Sequence, residues 1–187
     1  PFTTTSHAQF RAGPPPALDS ALYAADLNEV QAVATAAVPN PRTAEQTEVA
    51  RFFTEPPPPW QWRNRARFAT ANPSLADNAR LMALIHVAAV DAIGTCFETK
   101  YHYNYWRPVS AIRLADTDDN PATVADAGWT PHLPTPNHPE YPAAHGCDDG
   151  ATAEAVRSFY GTKKVRFAFD STVTGTTHVY ESTDDLV

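Results

Sequence analysis

The sequence predicts an all-α fold, a helical bundle with long proline-rich loops and at most a short β-hairpin near residues 165–180. Three observations carry this prediction. Apolar residues recur at helical spacing in several segments, most extensively from Leu81 to Phe97. The 18 prolines, against only 7 glycines, cluster at Pro14–Pro16, at Pro56–Pro59 and between 131 and 142, where they separate helices rather than domains. Only Val165 to Val179 alternates and is rich in β-branched residues, and two short extended segments do not make a sheet protein. With 187 residues, 43% hydrophobic and 19% charged, the chain suffices for one globular domain, so a single core over residues 1–187 is expected.

Residues 1–17 are polar, then proline-rich, and read as an extended lead-in over the surface. Leu22, Tyr23, Leu27, Val30 and Val33 mark a helix within Asp19–Ala37, with Asp19 as its cap. Thr43 and Gln46 form a capping-box pair, which predicts a short helix over Ala44–Phe53 stopped by Glu55 and four prolines. Trp60, Trp62 and Phe68 interleave with Arg63, Arg65 and Arg67. That pattern resembles a nucleic-acid stacking platform, but in an acidic chain it reads as a packing helix with solvated arginines.

Ser74 and Asp77 open the longest element, whose apolar positions make it the central helix. Asp91 within it is a carboxylate among alanines and needs a partner, whereas His86 reads as a satisfied core or rim group. Asp116 to Pro142 is a long irregular stretch of the kind that lines functional sites. Ala151, Ala155, Val156 and Phe159 then define a helix closed by Gly161, with Asp148 and Asp149 read as first-turn cap acids. Ser182 or Thr183 caps a last short helical segment.

A net charge of −7, from 14 Lys and Arg against 21 Asp and Glu, excludes nucleic acid as a partner, because phosphate-backbone binding needs a basic face. An anionic ligand therefore requires a local positive cluster. No run of 18 apolar residues occurs, so no membrane span is expected. The chain starts at Pro1 without a methionine or a signal-peptide pattern, which reads as a processed or truncated product. Cys96 and Cys147 are too few for a disulfide scaffold and are expected to be free.

The positive cluster has a candidate in K-Y-H-Y-N-Y-W-R-P, Lys100 to Pro108. If helical geometry runs through the segment, Lys100 and Arg107 lie almost two turns apart on one face. An ammonium and a guanidinium converging there suit a tetrahedral oxyanion. Pro108 holds Arg107 extended and stops the helix. His145 falls at or just before a helix N-terminus, where main-chain N–H groups and the helix dipole favour an anion beside the imidazole. His132, His138 and His145 with Asp148 and Asp149 match no common metal-ligand spacing.

Lys100 followed by Arg107-Pro108, and Pro142-Ala143-Ala144-His145, resemble the first two signatures of the superfamily that joins vanadium-dependent haloperoxidases to type 2 phosphatidic acid phosphatases. The second is a variant of Pro-Ser-Gly-His. The wider wording Y-H-Y-N-Y-W-R-P-V-S-A-I-R and P-N-H-P-E-Y-P-A-A-H-G-C is similar to the soluble haloperoxidase-like branch, and the likeness covers roughly residues 19–187. It implies the helical bundle of that family and a cofactor, vanadate, or phosphate in its place. Lys100 and Arg107 would hold its equatorial oxygens, Ala143 and Ala144 would add main-chain N–H contacts, and His145 would be the general acid and base. The substrates implied are halide and peroxide, or alternatively a phosphomonoester.

Two departures accompany the likeness. Relatives usually carry a serine where Ala143 stands. The third signature, Ser-Arg followed by a histidine, does not occur in these residues, so a second anion-binding arginine and the vanadium-ligating histidine are expected beyond Val187. The resemblance thus implies a single domain lacking its C-terminal part, with room for association with a separate C-terminal segment or a second copy. It also leaves open a non-catalytic storage or binding protein that keeps the fold.

Overall fold

The computed structural model describes residues 1–70 and 74–187. Six α-helices are present among them: α1 (Ala21–Val33), α2 (Ala44–Phe52), α3 (Pro57–Thr70), α4 (Leu75–Tyr103), α5 (Pro108–Arg113) and α6 (Ala144–Tyr160). A two-stranded antiparallel sheet, β1 (Phe167–Asp170) with β2 (Thr177–Tyr180), follows in the register Phe167↔Tyr180 to Asp170↔Thr177. The fold is mainly helical, with the one hairpin inside the predicted 165–180 window. The chain forms two compact units, one of Pro1–Arg11, Glu48–Glu98 and Ala143–Val187, the other of Ala12–Thr47 and Thr99–Pro142. Where sequence predicts one core, the described residues contain a hydrophobic cluster in each unit.

In the first unit the cluster joins Phe52, Trp60, Phe68, Leu81, Ile85 and Val156 to the inward-facing Phe167 and Phe169 of β1. Rings meet edge-on or tilted, with Trp60 and Phe169 centred 5.1 Å apart and Phe68 and Phe167 4.6 Å apart. The arginines of α3 are not solvated as predicted. Arg63 forms a two-pronged pair with Glu55 at 2.8 Å, and Arg67 pairs with Asp170. The hydrogen bonds from Arg63 pull the Glu55 carboxyl down to about 2. Arg65 is buried and donates to the buried Asp148 at 2.6 Å, with Gln61 donating to the same oxygen at 2.7 Å. Glu55 lies eight residues before Arg63, but the partners of Arg65 and Arg67 lie on α6 and on the hairpin, out of view of local sequence patterns.

Asp91 finds its partners at the start of the chain. Its carboxylate accepts from Phe2 N (2.7 Å), Thr3 N (2.6 Å) and the Thr3 hydroxyl (2.7 Å), and these bonds, the Thr3 side chain's foremost, lower it to about 2. Three residues on, a Cβ at Gly94 would lie 2.2 Å from His7 Nδ1, so a side chain there would require the imidazole to move.

In the second unit Tyr23 and Leu27 of α1 pack on Ala111 and Ile112 of α5, with Ala115 and Trp129 from the following chain. The cap of α1 is Ser20, whose hydroxyl accepts from Tyr23 N, rather than Asp19. The helix ends at Val33, short of Ala37, because Ala36 N and His132 N pair with Thr130 O and Ala34 O instead of continuing the spiral. Arg42 covers the freed carbonyls of Val33 (2.6 Å) and Thr35 (2.9 Å). The Thr43–Gln46 capping box is present in both directions, at 2.8 and 3.0 Å.

By length and composition the stretch Leu75–Arg113, α4 with the break and short helix that follow it, is apolar enough to cross a membrane, with a window of mean hydropathy 1.6, of which 28% is buried. The core helix of a water-soluble protein passes the same test. The count of uninterrupted apolar residues missed it because averaged hydropathy tolerates an occasional charge.

Removing one member of the buried Arg65–Asp148 pair strands the other. Arg65→Ala should cost about 3 to 5 kcal/mol in denaturant unfolding, while Arg65→Met with Asp148→Leu should cost far less.

Candidate oxyanion site

Lys100 lies in the last turn of α4, where a cation suits the negative end of the helix dipole. The helix does not continue to Pro108 as predicted. It ends at Tyr103, and Asn104 takes a left-handed conformation (φ 48°), a conformation asparagine tolerates better than most residues. Arg107 becomes the N-cap of α5, extended at φ −78° and ψ 153°, as the proline after it requires. The two cations therefore do not share one helical face.

They converge nonetheless, through the loop rather than the helix. The Lys100 ammonium, on a residue only 1% exposed, donates to Pro139 O at 2.8 Å and Glu140 O at 2.7 Å. Arg107 Nε donates to His138 O at 2.6 Å, Nη1 to Glu140 Oε2 at 2.7 Å, and Nη2 meets His138 Nδ1 at 2.8 Å. Three consecutive residues, 138 to 140, thus receive both side chains. Sequence reasoning named His138 only as a doubtful metal ligand and did not single out Glu140. No local signal marks either, since each lies more than thirty positions from Arg107.

The helix carrying His145 belongs to the other unit. Ala143 is its N-cap, extended at φ −67° and ψ 124°, and supplies no side-chain cap. Cys147 N donates to Ala143 O at 3.1 Å, and Cys96 Sγ lies 4.0 Å from the same oxygen. Ala144 and His145 stand in the first turn. The imidazole is exposed and meets the Phe53 ring at its edge, 6.0 Å between centroids.

Asp148 and Asp149 are not first-turn cap acids. Both lie beyond that turn and are buried, Asp148 as the partner of Arg65. Burial, then the Asp148 charge, pushes Asp149 up to about 7 against the opposing pull of Arg65. His86, near the same groups, is lowered by burial and by Arg65. Sequence reasoning missed this near-neutral titration because it depends on burial.

The chemistry of the Arg107 fork suits a small oxyanion, whereas the Lys100 ammonium is buried against two main-chain carbonyls. The guanidinium already grips carboxylate and carbonyl oxygens at hydrogen-bond length, with the Glu140 carboxylate standing where an anion's oxygen could be taken up.

The model for the VCPO second helical-bundle domain matches residues 80–184, and the chain belongs to this family, within the vanadium haloperoxidase superfamily. The matched range contains both signature segments. The chain is 31% identical over 109 residues to vanadium chloroperoxidase of Curvularia inaequalis. That match covers 53% of this chain and 17% of the relative, so the chain spans a small part of the relative's length.

Two outcomes follow from the geometry of α6. Ala143→Ser supplies the missing cap and should raise stability by about 0.5 to 2 kcal/mol, read as a shift in denaturant midpoint. Asp149 keeps a proton in the native state between about pH 4 and 7 that the unfolded chain has released, so its contribution to stability falls as pH rises through that window. Asp149→Asn should therefore gain over the parent, with a larger gap in unfolding free energy at pH 8 than at pH 4.

Proposed function

We propose that the chain supplies vanadate-holding elements of a vanadium-dependent haloperoxidase, which oxidises halide with hydrogen peroxide. The observation that carries this reading is the meeting of Lys100 and Arg107 on one short run of oxygen acceptors, in a chain of net charge −7. Membership of the family and likeness to a protein named vanadium chloroperoxidase support it.

In this reading the Lys100 ammonium acts as a point charge and the Arg107 guanidinium as a rigid fork, so one neutralises and the other orients the bound oxyanion. The main-chain N–H groups of Ala143 and Ala144, at the start of α6, add donors with the helix dipole behind them. His145 takes and returns a proton as general base and acid. Bound vanadate supplies the Lewis-acid centre that activates peroxide. A phosphomonoesterase is the second reading, because the same donors suit the charge spread over a transferring phosphoryl group.

Equilibrium dialysis with orthovanadate tests the site. Lys100→Ala and Arg107→Ala should each abolish binding, whereas His145→Ala should keep it and lose turnover. Halide oxidation with peroxide and vanadate, set against hydrolysis of a phosphomonoester inhibited by vanadate, separates the two activities. Binding without either activity selects a storage or binding protein. Undiminished vanadate affinity in both cation variants overturns the assignment.

A further inference from the structure

We propose that Glu140 is a built-in competitor for the anion, its carboxylate occupying part of the Arg107 fork and having to swing aside before an oxyanion takes the same donors. This rests on the reading of Lys100 and Arg107 as oxyanion ligands.

The main chain around Glu140 is fixed and its carboxylate is not. Lys100 Nζ holds Pro139 O and Glu140 O, Arg107 Nε holds His138 O, and Glu140 N donates to Tyr105 O at 3.0 Å. None of these bonds involves the Glu140 side chain. The carboxylate is anchored to Arg107 by an ion pair of the partly exposed kind, its side chain 38% exposed against 17% for the arginine. Such pairs contribute little to stability, and a glutamate on a fixed main chain can reach solvent by rotating its own bonds. The two main-chain carbonyls that Lys100 meets have no such freedom, whereas the charged partner of Arg107 can leave.

Chemistry and charge agree with competition. A guanidinium recognises carboxylate and phosphate-like oxyanions by the same fork geometry. Glu140 also reduces the summed charge of Lys100, Arg107 and itself to +1, where the cation pair alone would carry +2. An incoming anion therefore meets a weakened field as well as an occupied donor.

The test is equilibrium dialysis of orthovanadate and of inorganic phosphate against the 187-residue chain and its Glu140→Gln and Glu140→Ala variants, with thermal melting to confirm folding. Both substitutions leave the main-chain bonds in place. Each should tighten binding of both anions by roughly three- to tenfold. The gain should vanish when Arg107→Ala is added. Unchanged or weaker binding in the two Glu140 variants, while the parent still binds, overturns the competitor role and leaves the site reading intact. If neither parent nor variant binds either anion, the site reading itself fails and the competitor role falls with it.

Discussion

The buried ammonium of Lys100 is the constraint on which the second unit turns. A charge almost sealed from water must be met by oxygen atoms, and here they come from the main chain at Pro139 and Glu140. The loop composition explains why those atoms are available. Proline has a carbonyl but no N–H, so a proline-rich segment has more acceptors than donors and cannot satisfy itself. Cationic side chains make up the difference across this unit. Besides Lys100 and Arg107, Arg113 donates to Trp129 O at 2.8 Å and Arg42 covers the end of α1. The long stretch from Asp116 to Pro142 is shaped by these side-chain donors as much as by its own backbone.

The first unit uses its cations differently. Its arginines on α3 reach carboxylates and carbonyls of β1, the Glu55 loop and α6, so charge joins elements that the aromatic cluster packs. The Arg65–Asp148 pair is sealed from water, and the near-neutral titration of Asp149 beside it is a by-product of burying two neighbouring carboxyls near one guanidinium.

Features set by residues a few positions apart were legible in the sequence. The Thr43–Gln46 box, a cap at Ser182 where Ser182 or Thr183 was expected, the Ser74 bond to Asp77 N and the left-handed Gly161 after α6 all follow local rules. Helix periodicity likewise located α1, α4 and α6, and the alternation of Val165–Val179 located the hairpin, whereas the short α5 was not singled out. Partnerships across the chain were not legible. Asp91 visibly lacked a mate, yet nothing in its neighbourhood pointed to Phe2 and Thr3. Lys100 and Arg107 were recognised as a pair for an incorrect geometric reason: the helix between them breaks at Asn104, and the loop brings the acceptors to both. Glu140 went unremarked because a lone acid beside prolines carries no periodic signal.

The small sheet has a further consequence. On β1, Asn64 uses its side-chain amide as a neighbouring strand would use a peptide, accepting from Asp170 N at 2.9 Å and donating to Asp170 O at 3.0 Å, while Arg67 donates to Ala168 O. A helix thereby impersonates a third strand. An exposed ladder invites strands from other molecules to add on, and this one is already plugged along the edge facing α3. A hairpin too short to bury its own margins is in this way kept from seeding intermolecular polymerisation on that side.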